Sequence, residues 1–348
     1  MKRVLRYGGF ALAVVFLVLT VLNASWLAPE PKGAVKLIVH GGIHQLRDHA
    51  GVERDTCAAT RIEPPAHDYL ENTTRSIARA AKLGAHVIEI DIAPTADGEI
   101  AVFHDRTVDC RTDGKGEVRA LTMAELKALD AGHGYSADGG ATHPFRGKGV
   151  GAIPTLAEAI RAAGRARLLY NFTGEDPDEA DLLAAALREA GRDPVAARDG
   201  FHGHPDPVAR IAEIFPEAWA FSEEGAQACT RAYGLVGWFG IVPAACENGT
   251  LTIPMNRQWI FAGWPNRLIA RMEAAGANVV LVGQRGGARR AGLEFPEQLG
   301  EIPASFNGYA WVEDGFTVIP ALINRFDDRS QAEIDAAQAA LQRRRDSR

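Results

Sequence analysis

Two carboxylates spaced two residues apart are the most chemically suggestive feature of this sequence. Glu89 and Asp91 lie in the run His-Val-Ile-Glu-Ile-Asp-Ile, residues 86–92. In a strand, both would point to one face and the isoleucines to the other. Two unpaired carboxylates on a buried face repel each other and are costly to desolvate, and a hard cation such as Ca²⁺ or Mg²⁺ would remove that cost. The spacing alone leaves a second interpretation open, a polar rim in which both carboxylates meet arginines and water.

Two histidines stand at the ends of apolar runs, His40 in Val-His-Gly-Gly and His104 in Val-Phe-His-Asp. Cleavage of a phosphodiester, for example, requires one group that accepts a proton from the attacking oxygen and one that gives a proton to the leaving oxygen. Imidazoles titrate near neutral pH and suit both tasks. We therefore predict that His40 and His104 are an acid and base pair beside Glu89 and Asp91.

The elements that would bring these residues together are short apolar strands alternating with helical patterns, which is typical of parallel strands joined by crossover helices. Eight such strands are predicted, which indicates a (β/α)8 TIM barrel whose active site lies at the carboxyl ends of the strands. Their predicted ranges are 35–40, 86–92, 167–172, 200–203, 218–222, 250–254, 278–282 and 308–312.

A long insertion is predicted after the second barrel strand. Asp97-Gly98 makes a tight turn into a short return strand, 100–104. The following stretch, 105–154, is rich in glycine and polar residues and contains one clear helical pattern, 122–129. Loops of this length are usually functional or disordered. We interpret 105–154 as a cap over one face of the barrel.

The N-terminus, residues 1–32, has the layout of an export signal or a membrane anchor. Lys2, Arg3 and Arg6 precede an apolar run over 10–22. The short apolar core favours a cleaved signal, whereas Trp26 and the lack of a clear cleavage site favour an anchor. Either way, we expect the chain from about Pro29 onward to be exported to the periplasmic or extracellular face, tethered to the membrane by this segment.

The remaining chain divides into a barrel domain, 33–330, and a helical tail, 331–348, whose basic end at 343–345 is expected to be frayed and solvated. A net charge of −6 and the absence of a basic stripe argue against a nucleic-acid partner. No protein partner is evident.

The four cysteines allow three pairings. Cys57 and Cys110 both lie close in sequence to candidate site residues, whereas Cys229 and Cys246 enclose a short segment, so we favour Cys57–Cys110 and Cys229–Cys246.

Six short motifs in order give the sequence a specific resemblance. They are His40-Gly41-Gly42, Glu71-Asn72-Thr73, Ile88-Glu89-Ile90-Asp91, Thr95-Ala96-Asp97-Gly98, His104-Asp105 and Ile153-Pro154-Thr155-Leu156-x-Glu158. Their order and spacing over residues 37–175 resemble the glycerophosphodiester phosphodiesterases.

The resemblance implies a divalent cation, Ca²⁺ or Mg²⁺, at Glu89 and Asp91, and acid–base catalysis by His40 and His104. It implies attack on phosphorus by the neighbouring hydroxyl of the substrate, followed by hydrolysis of a cyclic phosphate. Glu71 is expected to organise the turn at His40 and to cap the following helix, or alternatively to approach the metal.

Two departures from the family pattern concern charge. The family usually has His-Arg-Gly, with an arginine on the phosphate, where this chain has Gly41. The family also supplies a third acidic ligand from the strand that here reads Tyr-Asn-Phe-Thr, so Asn171, Thr173 or Glu175 would have to substitute. Arginines from nearby loops are candidates for binding the phosphate, although for each of them a solvated loop residue is the more common case: Arg61, Arg106 and Arg111.

Other features carry less weight. His202-Gly-His204 is a weak metal-binding pattern, and Asn256 and Trp264 are candidates for lining a substrate pocket or for the core.

The main prediction is hydrolysis of a glycerol-linked phosphodiester to glycerol phosphate and an alcohol. The alternatives are a phospholipase-like enzyme acting on lysophospholipids or membrane-lipid headgroups, and a barrel that binds its ligand without turnover.

Overall fold

The computed structural model describes residues 2–47, 56–284 and 292–347, without the side chains of residues 2–6. Its strands are β1 Lys36–Val39, β2 Val87–Pro94, β3 Ile100–Val102, β4 Arg167–Phe172, β5 Gly200–Gly203, β6 Trp219–Ser222, β7 Thr250–Pro254, β8 Asn278–Val282 and β9 Tyr309–Val312. Its α-helices are α1 Lys2–Asn23, α2 Thr74–Leu83, α3 Met123–Ala128, α4 Leu156–Ala163, α5 Asp178–Glu189, α6 Pro194–Ala197, α7 Pro205–Ile214, α8 Glu223–Val236, α9 Asn266–Ala274, α10 Gly315–Leu322 and α11 Gln331–Asp346.

Eight parallel strands form a nearly closed barrel in the order β6-β5-β4-β2-β1-β9-β8-β7. All eight predicted barrel strands are present, and β3 is the predicted return strand, antiparallel to β2. No ladder joins β6 to β7 within the described ranges. A side-chain hydrogen bond bridges that gap, with Trp219 Nε1 donating to Thr250 Oγ1 at 2.9 Å. The TIM-barrel prediction is therefore confirmed.

The alternation along β2 separates the apolar core from the candidate site. Ile88, Ile90 and Ile92 point outward and pack beneath the ring of helices. Glu89 and Asp91, at the intervening positions, point into the barrel. Below them the barrel interior is filled by apolar side chains from successive strands: Ile38, Val87, Leu169, Val280 and Tyr309. A packed lower interior leaves the upper rim as the place for chemistry.

The insertion 105–154 folds on a small second core, which it shares with Ala93 of β2, Ala101 of β3 and Phe103. Its helix α3 begins at Thr122, whose side chain and that of Glu125 form a capping box. The disulfide Cys57–Cys110 ties this insertion to the segment that precedes α2. The second predicted disulfide, Cys229–Cys246, joins α8 to the short turn before β7.

The C-terminal tail departs from the expected solvated end. Helix α11 lies against the barrel, and the Arg344 side chain is buried. Its guanidinium donates to Asp314 Oδ2 at 2.5 Å and lies 3.5 Å from Glu63 Oε2. Because both partners come from other elements, Arg344 fixes the tail to the barrel, and the prediction of a frayed basic end was wrong at this position.

Helix α1 is apolar and largely exposed from Tyr7 to Leu22. At its end, Asn23 donates to the Trp238 carbonyl at 2.8 Å and accepts from Arg271 at 3.0 Å. Among the described residues, no helix combines the length and the hydropathy that a membrane crossing requires. The side chains of the basic residues Lys2, Arg3 and Arg6 lie outside the described part of the structure.

Candidate active site

The Glu89 carboxylate is held at the inner rim of the barrel by groups from β5 and from the turn that follows β1. Its Oε2 accepts a hydrogen bond from the Gly41 backbone N–H at 2.9 Å, in the turn that follows β1. Its Oε1 lies 3.3 Å from His202 Nε2, which β5 presents to the barrel interior. The side chain is fully buried. Gly41 has φ +58°, a backbone conformation that favours glycine, so the turn delivers its N–H to Glu89 without strain.

The Asp91 carboxylate is held by two amide side chains. Asn72 Nδ2 donates to Oδ2 at 2.6 Å and Asn171 Nδ2 donates to Oδ1 at 2.7 Å. Asn72 also accepts from the Asp91 backbone N–H at 3.1 Å, and it adopts φ +59°, an uncommon conformation for a residue other than glycine. Burial alone would raise the pKa of Asp91. The nearby His104 and His40 and the two amides outweigh burial and lower it, so the carboxylate stays ionised.

His40 follows β1 and is held by a buried glutamate. Its Nδ1 lies 3.0 Å from Glu313 Oε2, and Glu313 immediately follows the neighbouring strand β9. His44 Nε2 lies 3.5 Å from the same oxygen. Burial opposes protonation of His40, but Glu313 and Glu89 outweigh burial and raise its pKa to about 9. The same ion pairing holds the pKa of Glu313 well below its ordinary value, against the effect of burial.

His104 follows β3 and is the more exposed histidine, with 39% of its side chain accessible. Its Nδ1 lies 2.8 Å from Asp105 Oδ1. Arg111 holds that carboxylate with two hydrogen bonds, Nε to Oδ2 at 2.8 Å and Nη2 to Oδ1 at 3.0 Å. Burial opposes protonation of His104, but Asp91 and Asp105 outweigh it and raise its pKa. Each histidine therefore has its own carboxylate partner, and the charge of Asp91 acts on both.

Two arginines converge on Glu71 beside His104. Arg111 pairs with Glu71 and donates to the Tyr135 hydroxyl at 2.8 Å, and only 3% of its side chain is exposed. Arg47 Nη1 lies 3.3 Å from both carboxylate oxygens of Glu71, with 12% of its side chain exposed. Arg111 thus uses its donors to hold Asp105, Tyr135 and Glu71, whereas Arg47 is held more loosely and is closer to solvent.

The sequence-predicted residues divide into those at the rim and those elsewhere. The structure brings together His40, Gly41, Glu89, Asp91, His104 and Asn171, with Glu71 and Arg111 behind them. Thr173 lies just beyond β4, with its hydroxyl 3.5 Å from the Ile92 carbonyl. Glu175 and Asn256 are exposed and Arg61 is partly exposed.

Three further candidate residues have definite contacts in the structure. Arg106 is exposed and donates to Glu117 within the insertion at 2.8 Å. Trp264 packs on Phe306 with ring centroids 5.3 Å apart, beside the outer core. Glu71 does not cap α2, contrary to the expectation from sequence. The N-cap is Thr73, whose side chain accepts from the Ser76 N–H at 3.2 Å.

The sequence alone indicated no role for four residues of this site, His44, Arg47, Asp105 and Glu313. For His202 it indicated only a weak metal-binding pattern. Asp105 and Glu313 did carry a signal, because each directly follows a strand end and parallel strands end at the same rim. His44 and Arg47 lie in a loop whose path the pattern of apolar residues does not specify.

The donor set at the rim fits a hard divalent cation. Glu89 and Asp91 are both buried and face the same interior, and Asn171 adds an amide group from the neighbouring strand. Ca²⁺ and Mg²⁺ bind such oxygen ligands. All four carboxylate oxygens already contact protein groups, and the third ligand here is neutral, so we expect the affinity to be modest.

Several residues of this rim lie in a segment that matches a known protein family. Residues 65–188 match the Glycerophosphoryl diester phosphodiesterase family. That segment includes Asn72, Glu89, Asp91, His104 and Asn171. Residues 65–188 belong to this family.

Curated members of the family match over part of their length. A glycerophosphodiester phosphodiesterase of Caldanaerobacter subterraneus subsp. tengcongensis is 41% identical over 102 residues, which cover 29% of this chain and 38% of that protein. Glycerophosphodiester phosphodiesterase 1 of Mus musculus is 36% identical over 136 residues, 39% of this chain and 38% of that protein. The matched part thus spans about two fifths of these relatives.

Solved structures of the family share the fold over most of the chain. The glycerophosphodiester phosphodiesterase of Agrobacterium tumefaciens superposes with a TM-score of 0.54 at 20% identity, over 84% of this chain and 99% of that chain. A phosphodiesterase of Oleispira antarctica, solved with the product sn-glycerol-3-phosphate, superposes with a TM-score of 0.52 at 19% identity, over 85% of this chain and 98% of that chain.

The raised pKa of His40 predicts a pH-dependent stability of the metal-free protein. In the folded protein the pKa of His40 is about 9, above the ordinary value of 6.5. Protonation of His40 therefore stabilises the fold fully below pH 6.5, and this stabilisation is lost as the pH rises through 9. The difference of about 2.5 units between these two pKa values limits the contribution to the free energy of unfolding to about 3 kcal/mol. Urea unfolding in EDTA at pH 6, 7.5 and 9 should show this loss for the wild type, and Glu313→Gln should reduce it.

The matched control is Glu117→Gln, which removes a surface carboxylate bonded to Arg106. Its free energy of unfolding should change with pH as that of the wild type does. Identical pH dependence in the wild type and Glu313→Gln would show that Glu313 does not hold the proton on His40.

Proposed function

We propose that this protein is a metal-dependent phosphodiesterase that hydrolyses a glycerol-linked phosphodiester to glycerol phosphate and an alcohol. The observation that carries the proposal is the pair of histidine–carboxylate contacts, His40–Glu313 at 3.0 Å and His104–Asp105 at 2.8 Å, on either side of the buried Asp91. A site that only bound a phosphodiester would need neither proton-transfer group. The family match of residues 65–188 supports the same reaction.

The two histidines divide the proton transfers. With Nδ1–H directed to Asp105, neutral His104 presents Nε2 as an acceptor for the proton of the attacking hydroxyl. His40 holds its proton most firmly, because its pKa is about 9, and it donates from Nε2 to the leaving oxygen while Nδ1–H stays on Glu313. If the first product is a cyclic phosphate, water replaces the hydroxyl in a second step and the histidines exchange roles.

The carboxylates at the rim would hold the cation that the family resemblance implies. When bound by Glu89 and Asp91 with Asn171 beside them, a divalent cation would offset the charge of the phosphate. The chain's own contribution is to fix these ligands before substrate arrives. Gly41 N–H, His202 and Asn72 already hold the two carboxylates in place.

Arg47 is the best candidate for the phosphate-binding cation that Gly41 cannot supply. It lies beside His104, contributing to that histidine's electrostatic environment, and it contacts Glu71 only at 3.3 Å. Arg111 is less suitable because its guanidinium already serves Asp105, Tyr135 and Glu71. A guanidinium binds a phosphate with two parallel hydrogen bonds.

The substrate is proposed to be a small glycerophosphodiester, since a relative with the same fold binds sn-glycerol-3-phosphate. A second candidate is a lysophospholipid or membrane-lipid headgroup, which the exposed apolar helix α1 favours. We also propose that the protein acts outside the cytoplasm, tethered through its N-terminal segment. Two disulfides suit an oxidising compartment.

Substitution of His104 separates an enzyme from a binding protein. His104→Ala removes a proton-transfer group, so turnover of glycerophosphocholine with Mg²⁺ or Ca²⁺ should fall by about 10²-fold or more. Binding of sn-glycerol 3-phosphate, measured by calorimetry, should change little. The control is His133→Ala in the insertion, which should retain full turnover. Absence of turnover from folded wild type with either cation would favour the binding-protein alternative.

Substitution of Arg47 tests the phosphate contact. Arg47→Ala should raise KM for glycerophosphocholine about tenfold or more, because it removes a charge-assisted pair to the phosphate. Arg47→Lys should restore part of the loss, since a lysine keeps the charge but not the bidentate geometry. The control is Arg106→Ala, which removes an exposed arginine paired with Glu117. Equal KM values for Arg47→Ala and the wild type would remove Arg47 from the phosphate site.

A further inference from the structure

A second ligand set lies at the same rim, on the side of the barrel away from Asn171. His40, His44 and Glu313 each offer a ligand atom, and these atoms lie within 4.8 Å of one another. His40 Nδ1 is 3.0 Å and His44 Nε2 is 3.5 Å from Glu313 Oε2. Among the described residues, this is the set of three His, Cys, Asp or Glu side chains whose ligand atoms lie close enough together to share a metal ion.

The ligand types differ from those at Glu89 and Asp91. Two imidazoles and one carboxylate form a set that zinc uses at open sites, whereas Mg²⁺ and Ca²⁺ bind oxygen ligands. In a tetrahedral zinc site, bonds of about 2.0–2.2 Å place the ligand atoms about 3.3 Å apart. The two contacts to Glu313 lie on either side of that value.

The fold holds these three side chains in place without an ion. His44 and Glu313 are buried, and His44 Nδ1 lies 3.4 Å from the Gly42 carbonyl, which turns Nε2 toward Glu313. Metal-bound histidines are commonly oriented by such a second contact. Glu313 Oε1 is buried and has no hydrogen-bond partner in the described part of the chain, so it remains available as a ligand atom.

We propose that His40, His44 and Glu313 form an inhibitory site for Zn²⁺ and similar transition-metal ions. Binding would displace the proton from His40 Nδ1 to solvent and replace the His40–Glu313 hydrogen bond with two metal–ligand bonds. A metal-bound neutral imidazole has no readily dissociable proton at Nε2, so His40 could no longer protonate the leaving oxygen. The inhibition rests on the proposed function, whereas the binding does not.

The test uses the full chain with Mg²⁺ in excess to occupy Glu89 and Asp91, and Co²⁺ or Zn²⁺ as the probe. Co²⁺ should give visible absorption of a four- or five-coordinate site, and Zn²⁺ should displace it. His44→Asn should weaken Zn²⁺ binding at least about tenfold, because it removes a ligand. Two controls should keep the cobalt spectrum: His133→Asn, a histidine in the insertion, and Asp91→Asn, which removes a ligand of the other site. His44→Gln and Glu313→Gln replace His44→Asn if circular dichroism shows that it does not fold.

Turnover of glycerophosphocholine in Mg²⁺ is the second measurement. Zn²⁺ should inhibit the wild type, and the inhibitory concentration should rise at least about tenfold in His44→Asn, relative to that variant's own zinc-free rate. Unchanged cobalt spectra in both His44→Asn and Glu313→Gln would overturn the site. A His44-dependent spectrum without turnover in any Mg²⁺ condition would uphold the site and instead contradict the proposed function.

Discussion

The burial of two carboxylates at the barrel rim is the constraint on which the rest of the site depends. Glu89 and Asp91 are almost fully inaccessible, and charges buried without partners are costly. Groups from four other segments compensate them: the Gly41 N–H, Asn72, Asn171 and His202. Asn72 even adopts a left-handed backbone conformation to place its amide on Asp91. Such arrangements are typical of functional sites.

One of these two carboxylates couples the two histidines electrostatically. Asp91 acts on both His40 and His104, and each histidine has a carboxylate of its own behind it, Glu313 or Asp105. Arg111 holds Asp105 and donates to the Tyr135 hydroxyl, and all three residues belong to the insertion. The disulfide at the adjacent Cys110 fixes the same segment. The insertion thus orients His104 through Asp105.

Most of the barrel could be predicted from sequence, because alternation within each strand and its position between helices are local signals. The inward direction of Glu89 and Asp91 followed from a spacing of two. The pairing of cysteines was also predicted correctly. These features depend on short stretches of chain, where local pattern and final structure agree.

Contacts between distant segments could not be predicted in this way. Glu313 reaches His40 only because β9 lies beside β1, and Arg344 becomes buried only because α11 folds back onto the barrel. Arg47 has no pattern around it that indicates a site. For Glu71, the local expectation failed because Thr73 caps α2 and arginines from two loops occupy the Glu71 carboxylate.

The most direct measurement is release of glycerol phosphate from glycerophosphocholine by the purified protein, after EDTA treatment and after re-addition of Mg²⁺ or Ca²⁺, in the wild type and Asp91→Asn. In the wild type, EDTA should abolish turnover and either cation should restore it. Asp91→Asn should require much more cation or remain inactive, because one of two anionic ligands is lost. Turnover that is unaffected by EDTA and by Asp91→Asn would contradict the claim that these buried carboxylates hold a cation for catalysis.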